Sequence, residues 1–172
     1  MACILTSGTT RGCRDSIAGI KEVYITELAN KSSITSASGV ITAFTLSSGK
    51  KFFTYELVRE TANWTEDGEA SRENGTRVYN QKLQIKLHKR SSTLNEELKL
   101  ALANDCMVIC KDQNSDYWLL GEGNGLSIDK VGFASGTAMG DFNGYVVDAS
   151  GSEASPASKV TSSLITNLLL PA

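Results

Sequence analysis

Residues 52–60 read FFTYELVRE, residues 65–76 read TEDGEASRENGT and residues 82–88 read KLQIKLH. The first segment is strand-like, and the third alternates apolar with polar residues, the period of two typical of a half-buried strand. The segment between them is polar and charged. A polar segment this long inside a compact domain is usually functional or disordered, because its backbone gains little from packing. We therefore predict two strands flanking a long polar loop, residues 65–76, which contacts another molecule.

The charges of the predicted loop are unevenly distributed. The loop contains four acidic residues and one basic residue, whereas residues 77–90 contain five lysine and arginine residues and no acidic one. An acidic projection beside a basic body suits head-to-tail contacts between identical subunits. The alternative is a solvated loop on a solvated strand. The residues predicted to mediate self-assembly are Trp64, Glu66, Asp67, Glu69, Arg72 and Glu73.

One helix is predicted over residues 93–104, which read TLNEELKLALAN. Thr93 and Glu96 have the spacing of a capping box, in which a hydroxyl and a carboxylate satisfy free backbone donors at a helix start. Leu94, Leu98 and Leu102 recur every four residues and form one apolar stripe. We expect this stripe to cover the core of the sheet.

The other segments indicate many short strands. We assign residues 1–18 to an irregular N-terminal arm and residues 30–39 to a Ser/Thr-rich loop. The predicted strands outside the opening stretch are residues 20–28, 40–46, 106–110, 116–120, 126–133, 142–147 and 159–165. Together with the helix they predict a mainly β fold with one inserted α-helix, an antiparallel β-sandwich or small barrel. The length of 172 residues suits a single domain, residues 1–172.

Composition narrows the classes of function. A hydrophobic content of 41% and a charged content of 21% are those of an ordinary globular protein. The net charge of −2 gives no basic footprint for tight nucleic-acid binding. The N-terminal residues do not have the pattern of a signal peptide, and no apolar run has the length of a membrane span. We expect a protein made in the cytosol that binds no membrane.

No catalytic, metal or cofactor site is predicted. The four cysteines are too few and too scattered for a disulfide scaffold, and on one strand Cys106 and Cys110 would lie roughly 13 Å apart, beyond disulfide reach. A four-cysteine zinc site is the less favoured alternative. His88, the single histidine, falls on the polar face of its strand. The glycines of residues 121–125 lack the spacing of a phosphate-binding loop and suit a corner between strands.

The order of these elements resembles that of bacteriophage tail tube proteins and of the inner tube proteins of contractile injection systems. The resemblance covers residues 20–165. It rests on a strand, a charged loop, a returning strand, a capped helix, a hairpin and a closing β-unit, residues 140–147 (GDFNGYVV) followed by 153–157 (EASPA). A weaker likeness to other phage virion proteins lies in residues 13–21, CRDSIAGIK.

The resemblance implies a protein without enzymatic activity that assembles with itself. Members of the family form hexameric rings whose sheets join into one inner barrel, and the rings stack into a tube. The implied partners are further copies of the chain, other tail proteins and the DNA that passes through the lumen without specific binding. The implied location is the virion tail, assembled in the bacterial cytoplasm.

Two other classes remain open at this point. A capsid decoration or head–tail completion protein would also be β-rich and without catalytic residues. A ligand-binding β-sandwich would use Trp64, Trp118 and Tyr117 as a stacking platform for a carbohydrate or protein.

Overall fold

The computed structural model describes residues 7–169. Strands account for 52% of the described residues and helices for 12%, so the predicted mainly β class is confirmed. The strands form two sheets, and neither closes into a barrel within residues 7–169. The seven-stranded sheet contains β1 (Ile20–Glu27), β2 (Lys31–Ala37), β3 (Val40–Leu46), β4 (Phe53–Glu56), β7 (Cys106–Asp112), β8 (Tyr117–Leu120) and β11 (Ser158–Val160). The four-stranded sheet contains β5 (Ala62–Ser71), β6 (Thr76–His88), β9 (Ser127–Ala134) and β10 (Gly144–Glu153).

The strand order is β2-β3-β11-β8-β7-β1-β4 in the larger sheet and β5-β6-β10-β9 in the smaller one. The strand pairings are antiparallel except that β11 runs parallel to β3. Apolar side chains from both sheets form the main core, which includes Val23, Ile85, Val108, Leu120 and Val147. The two sheets therefore form a β-sandwich.

A second apolar cluster covers the other face of the seven-stranded sheet. Strand β7 contributes Met107 and Ile109 to this cluster, whereas its Val108 enters the main core. Helix α2 (Ser162–Leu168) lies over this face and buries Ile165 and Leu168. Because both faces of β7 are covered, its sequence is a continuous apolar run rather than an alternating one.

Helix α1 (Ser92–Ala101) begins and ends earlier than predicted. The capping box assigned to Thr93 is wrong, because the hydroxyl of Ser91 accepts the backbone N–H of Leu94 at 3.1 Å and caps the helix there. The stripe is confirmed only in part. Leu98 is 3% exposed and Leu94 packs against the core, but Leu102 lies past the last helical residue and is 47% exposed.

The predicted loop over residues 65–76 is wrong. Residues 65–71 belong to β5, a four-residue turn spans 72–75, and Thr76 begins β6. Each β5 residue from Ala62 to Ser71 faces a partner on β6. Only alternate side chains near the start of β5 point inward, and one of them is Glu66, so the segment lacks the apolar alternation by which a half-buried strand is recognised.

The strand predicted over residues 52–60 is also shorter and has a different partner. β4 ends at Glu56 and pairs with β1 in the seven-stranded sheet, whereas β6 pairs with β5. Residues 57–61 carry the chain from one sheet to the other. β6 therefore forms its hairpin with β5, which contains residues 65–71 of the predicted loop.

Two further assignments are corrected. Residues 31–37, predicted as loop, form β2, which pairs with β3 through a two-residue turn at Ser38 (φ 53°) and Gly39 (φ 78°). Positive φ at both positions is the geometry of a type I′ hairpin turn. The strand predicted over residues 159–165 ends at Val160 and is followed by α2, so residues 7–169 contain two α-helices instead of one.

The other predicted strands overlap β1, β3, β7, β8, β9 and β10. Residues 7–18 of the predicted N-terminal arm carry no regular secondary structure, and their side chains are exposed. Residues 1–6 of that arm lie outside the described residues.

Candidate assembly surfaces

The outer face of the four-stranded sheet is polar. On β6 the inward side chains Leu83, Ile85 and Leu87 are buried, whereas the outward ones, including His88, are exposed as predicted. Hydrogen bonds run across this outer face, from Gln84 to Asp148 at 2.6 Å, from Ser150 to Asp129 at 2.5 Å and from Ser152 to Asn80 at 2.8 Å. The outward lysines of β6 stand beside acidic side chains of β5 and β10, so the face carries charges of both signs.

Both edges of the four-stranded sheet are open. β5 has ten residues and β9 has eight, and each has a hydrogen-bonded neighbour on one side only within residues 7–169. Neither strand contains proline. An open edge presents a row of unpaired N–H and C=O groups and is a template for pairing with another chain. This sheet therefore offers two long templates at opposite edges.

The β5–β6 hairpin extends beyond the rest of its sheet. β10 accompanies β6 only as far as the pair Glu153–Tyr79. Residues 69–78 therefore form a two-stranded projection. Its exposed charged side chains are Glu69, Arg72, Glu73 and Arg77, and Asp67 stands at its base opposite Asn80.

This projection is less acidic than the sequence suggested. Arg77 stands directly opposite Ala70 and lies over the ring of Tyr79 at 5.8 Å. Arg77 thus belongs to the same projection as Glu69 and Glu73 rather than to a separate basic body. The predicted separation of an acidic loop from a basic strand holds only in part.

Trp64 and Glu66 lie on the inner side of β5 instead of in a loop. Trp64 packs against Trp118, with ring centroids 6.4 Å apart. Glu66 accepts hydrogen bonds from the side chain of Gln81 at 2.8 Å and from the backbone N–H of Ala157 at 2.7 Å. These two residues fasten β5 to the sandwich, while Asp67, Glu69, Arg72 and Glu73 remain exposed.

The stacking platform of the ligand-binding alternative is not formed. Trp64 and Trp118 contact each other between the sheets. Tyr117 is the neighbour of Trp118 on β8 and joins the cluster beneath α2, where it stacks on Tyr24. Successive side chains of a strand point to opposite faces, so the three rings cannot share a surface.

The backbone of the glycine-rich corner, residues 121–125, binds the carboxylate of a glutamate from the same chain. The sequence did not predict this contact. The carboxylate of Glu153, 5% exposed, accepts the backbone N–H groups of Gly123 (3.1 Å), Asn124 (2.8 Å) and Gly125 (3.2 Å). A Cβ on Gly123 would lie 2.6 Å from this carboxylate, so a larger residue there would have to displace the carboxylate from its position. The corner is a structural clamp that joins the end of β10 to the end of β8.

A second polar cluster lies at the start of β1. The side chain of Lys111 donates to Glu22 at 2.8 Å, and the hydroxyl of Tyr24 donates to the same carboxylate. Burial raises the pKa of Glu22, but these two hydrogen bonds outweigh burial and hold that pKa below its ordinary value. The bond to Glu22 raises the pKa of Lys111.

The cysteines lie apart from any polar cluster. Cys106 and Cys110 are free thiols in the main core, and Cys13 is a free, exposed thiol, whereas Cys3 lies outside the described residues. Burial raises the pKa of Cys106 to about 11 and raises that of Cys110 as well. Among residues 7–169, no three His, Cys, Asp or Glu side chains are grouped closely enough to hold a metal ion.

Neither helix in the described part of the chain is long and apolar enough to cross a membrane. Comparisons with models of known protein families, with curated protein sequences and with solved structures gave no significant match.

Proposed function

We propose that this chain is a structural protein of a bacteriophage virion that assembles into hexameric rings, which stack into the tail tube through which the genome passes. The open edges of the four-stranded sheet carry this proposal, and the resemblance in element order supports the choice of family. Its partners are further copies of itself and other tail proteins. The protein has no enzymatic role in this account.

The strand directions suit a ring. Three antiparallel pairings separate β5 from β9, so these two edge strands run in opposite directions. Rotation of a copy about an axis along the strands keeps the direction of each strand. The β5 edge of one copy therefore meets the β9 edge of the next as an antiparallel neighbour, a heterologous contact that closes after a full turn.

Closure satisfies the open edges of the four-stranded sheet. Each new backbone hydrogen bond stabilises by only about 0.5–1.5 kcal/mol, but the bonds repeat at every interface of the ring. A closed sheet has no edge at which unwanted pairing can begin. Barrels of about 16–18 strands already enclose an aqueous channel, and six four-stranded sheets exceed that size.

The polar face then lines the channel. The inner face of the sheet packs on the core of its own subunit, so the body of each subunit lies outside the barrel. The outward side chains of β6, among them Lys82, Gln84 and Lys86, face the lumen together with Asp148 and Asp129. Mixed charge of this kind suits the passage of DNA without tight binding, because affinity for DNA depends on many uncompensated cations.

The test compares the natural chain with a variant in which residues 68–79 are replaced by Asn-Gly. Asp67 and Asn80 stand opposite each other, so a two-residue turn can join them, while Glu66 and Gln81 keep their contacts. We expect the natural chain to form rings and tubes under negative-stain electron microscopy. We expect the variant to fold, since β5 and β6 remain paired, and to form few or short tubes.

Circular dichroism and thermal unfolding provide the control for folding. Tubes of ordinary length from the shortened variant would remove the projecting hairpin from the assembly mechanism. A natural chain that stays monomeric up to high concentration would contradict the proposed function itself.

A further inference from the structure

The outer side of β5 carries acidic side chains at its open edge. Trp64 and Glu66 point to the inner side of the sheet. Successive side chains of a strand alternate between its faces, so the outer face receives Asn63, Thr65, Asp67 and Glu69, all of them exposed. Asp67 and Glu69 form no ion pair with any side chain of residues 7–169. This edge therefore presents two uncompensated negative charges.

The open edge of β9 carries a positive charge and an aromatic ring. Val131 and Phe133 lie on the inner side of the sheet, where Val131 packs against the main core and Phe133 stays 42% exposed. Lys130 lies on the outer face and forms no ion pair within residues 7–169. The acidic residue of this strand, Asp129, accepts a hydrogen bond from Ser150 of β10 at 2.5 Å and is thereby turned away from the edge. The β9 edge thus complements the β5 edge in charge.

The backbone groups of the two edges allow pairing only in steps of two residues. The C=O of Thr61 accepts the N–H of Lys86 from β6, so the even-numbered residues of β5 present their N–H and C=O groups at the open edge. The same alternation, carried across β6 and β10, leaves Val131 and Phe133 with their backbone groups at the open edge of β9. A pairing between copies therefore joins an even-numbered residue of β5 to an odd-numbered residue of β9 in this part of the strand.

Strand length and side chains select one of these registers. Without any stagger between copies, Asn63 lies opposite Lys130, and the end of β9 extends past the start of β5. A stagger of four residues places the whole of β9 within the length of β5. It places Asp67 opposite Lys130 on the outer face and Trp64 opposite Phe133 on the inner face. Opposite charges and paired aromatic rings are both cross-strand pairs that stabilise a sheet.

The same stagger agrees with the geometry of a closed barrel. Four residues advance a strand by about 13 Å and four strands are about 19 Å wide, so the strands tilt by about 35° from the ring axis. Strands of closed barrels tilt by about 35–45°. A stagger of two residues gives a tilt of only about 19°. A stagger of six residues would place Phe133 opposite Glu66, whose carboxylate is already bonded to Gln81 and Ala157.

We propose that β9 of one copy adds to β5 of the next copy in this register, with Lys130 paired to Asp67 across the interface. The inference rests on the proposed function for the number of copies in the ring, whereas the register is a property of any two neighbouring copies. Trp64 covers the ring of Phe133 that is exposed in the single chain. Both faces of the interface therefore specify the same register.

Cysteine cross-linking measures this register directly. Asp67 and Lys130 would form a pair without backbone hydrogen bonds between them, whose Cα atoms lie about 4.5 Å apart, within disulfide reach. Within one chain the two residues are at least three strand spacings apart, roughly 14 Å, so a disulfide between them joins two copies. The variant Asp67→Cys with Lys130→Cys is made with Cys3→Ser and Cys13→Ser, which leaves two buried cysteines besides the new pair.

Matched controls keep Lys130→Cys and move the second cysteine along the outer face of β5, to Asn63→Cys, Thr65→Cys or Glu69→Cys. All four β5 positions are exposed, so folding should be retained, and circular dichroism checks it. After mild oxidation of assembled protein, we expect a ladder of covalent oligomers on a non-reducing gel from Asp67→Cys and mainly monomer from the three controls. Variants with one new cysteine can form dimers at most, so longer oligomers require the head-to-tail contact.

Charge reversal gives an independent measurement. Asp67→Lys alone or Lys130→Asp alone places like charges opposite each other. We expect each to raise the protein concentration needed for assembly by roughly tenfold, because an attraction becomes a repulsion of similar size at every interface. The double variant restores an opposite pair with exchanged signs and should assemble at nearly the concentration of the natural chain. The defect of the single variants should shrink at high salt.

The outcomes separate the register from the proposed function. A ladder that ends at the hexamer supports both, whereas a ladder that continues past it retains the register and contradicts the closed ring. Tubes that cross-link through Asn63→Cys, Thr65→Cys or Glu69→Cys instead, or through none of the four positions, would overturn the register and retain the tube. A double charge reversal that assembles no better than the single ones would also overturn the pair. Absence of both assembly and cross-links would overturn both proposals.

Discussion

Removal of the negative charge of Glu153 should weaken the sandwich more than its position near a loop suggests. In Glu153→Gln the side chain keeps its size and one acceptor oxygen, but three backbone N–H groups lose a charged partner. Hydrogen bonds to a charged group contribute about 1.5–3 kcal/mol, against about 0.5–1.5 kcal/mol for neutral ones. Relief of the cost of burying the charge offsets part of this difference. We therefore expect the free energy of unfolding to fall by about 2 kcal/mol.

Glu153→Ala should cost more, about 3–4 kcal/mol, because the hydrogen bonds are lost and a buried donor is left without a partner. The backbone N–H of Gly125 is buried and would have no partner, whereas Gly123 and Asn124 are exposed to water. Glu122→Gln is the control from the same corner, because Glu122 is half-buried and accepts a hydrogen bond from Ser158 that glutamine can keep. We expect a change within about 0.5 kcal/mol for that variant.

Urea unfolding at neutral pH measures all three values, provided that the slope with denaturant stays constant. The expected order of stability is natural chain, Glu122→Gln, Glu153→Gln and then Glu153→Ala. A Glu153→Gln variant as stable as the natural chain would refute the reasoning. It would mean that the free-energy cost of burying the charge equals the extra stabilisation by hydrogen bonds to a charged acceptor.

Three further perturbations test other parts of the structure. Leu98→Ala should destabilise by about 2–5 kcal/mol through lost burial and a residual cavity. Leu102→Ala should cost well under about 1 kcal/mol, because Leu102 is largely exposed. Equal shifts in melting temperature for the two variants would show that the helix does not cover the core. Lys111→Met should destabilise by about 1–3 kcal/mol at neutral pH. That loss should shrink as the pH falls through the acid range, because the pKa of the partner Glu22 is lowered in the folded protein and the stabilisation by the ion pair disappears when Glu22 is protonated. A loss of stability that does not depend on pH would exclude the ion pair as its cause. Cys13 should react at once with a thiol reagent in the folded protein while the two core thiols react only after unfolding, and fast reaction of all would show that the core opens readily.

The regular part of the fold follows from local sequence patterns. β6 shows alternation at Leu83, Ile85 and Leu87, and β7 is an apolar run, so both strands can be recognised from sequence. β5 cannot be recognised in this way, because Glu66 occupies an inward position. The Glu66 carboxylate accepts hydrogen bonds there from Gln81 and from the backbone N–H of Ala157, which is 91 residues away in sequence. Hydrophobic periodicity does not predict hydrogen-bond partners that are distant in sequence.

The same limit applies to the helices and to the site. Ile165 was predicted as the end of a strand, and the helix that contains it can be recognised only once the open face of the seven-stranded sheet is known, since it is this face that α2 covers. The exposed residues Asp67, Glu69, Arg72 and Glu73 could be predicted as a projecting group, but the position of Arg77 beside them depends on the register of the hairpin. The open edges follow only from the strand order, which local patterns do not contain.

Amide hydrogen exchange of β5 and β9 tests the central claim most directly. The experiment compares dilute, dissociated protein with the assembled form, using β6 and β10 as internal controls because they are paired on both sides within the subunit. The account expects the edge strands β5 and β9 to exchange readily in the dissociated protein and to become protected on assembly, with little change in β6 and β10. Assembled protein in which both edge strands still exchange as they do in the dissociated form would contradict the account.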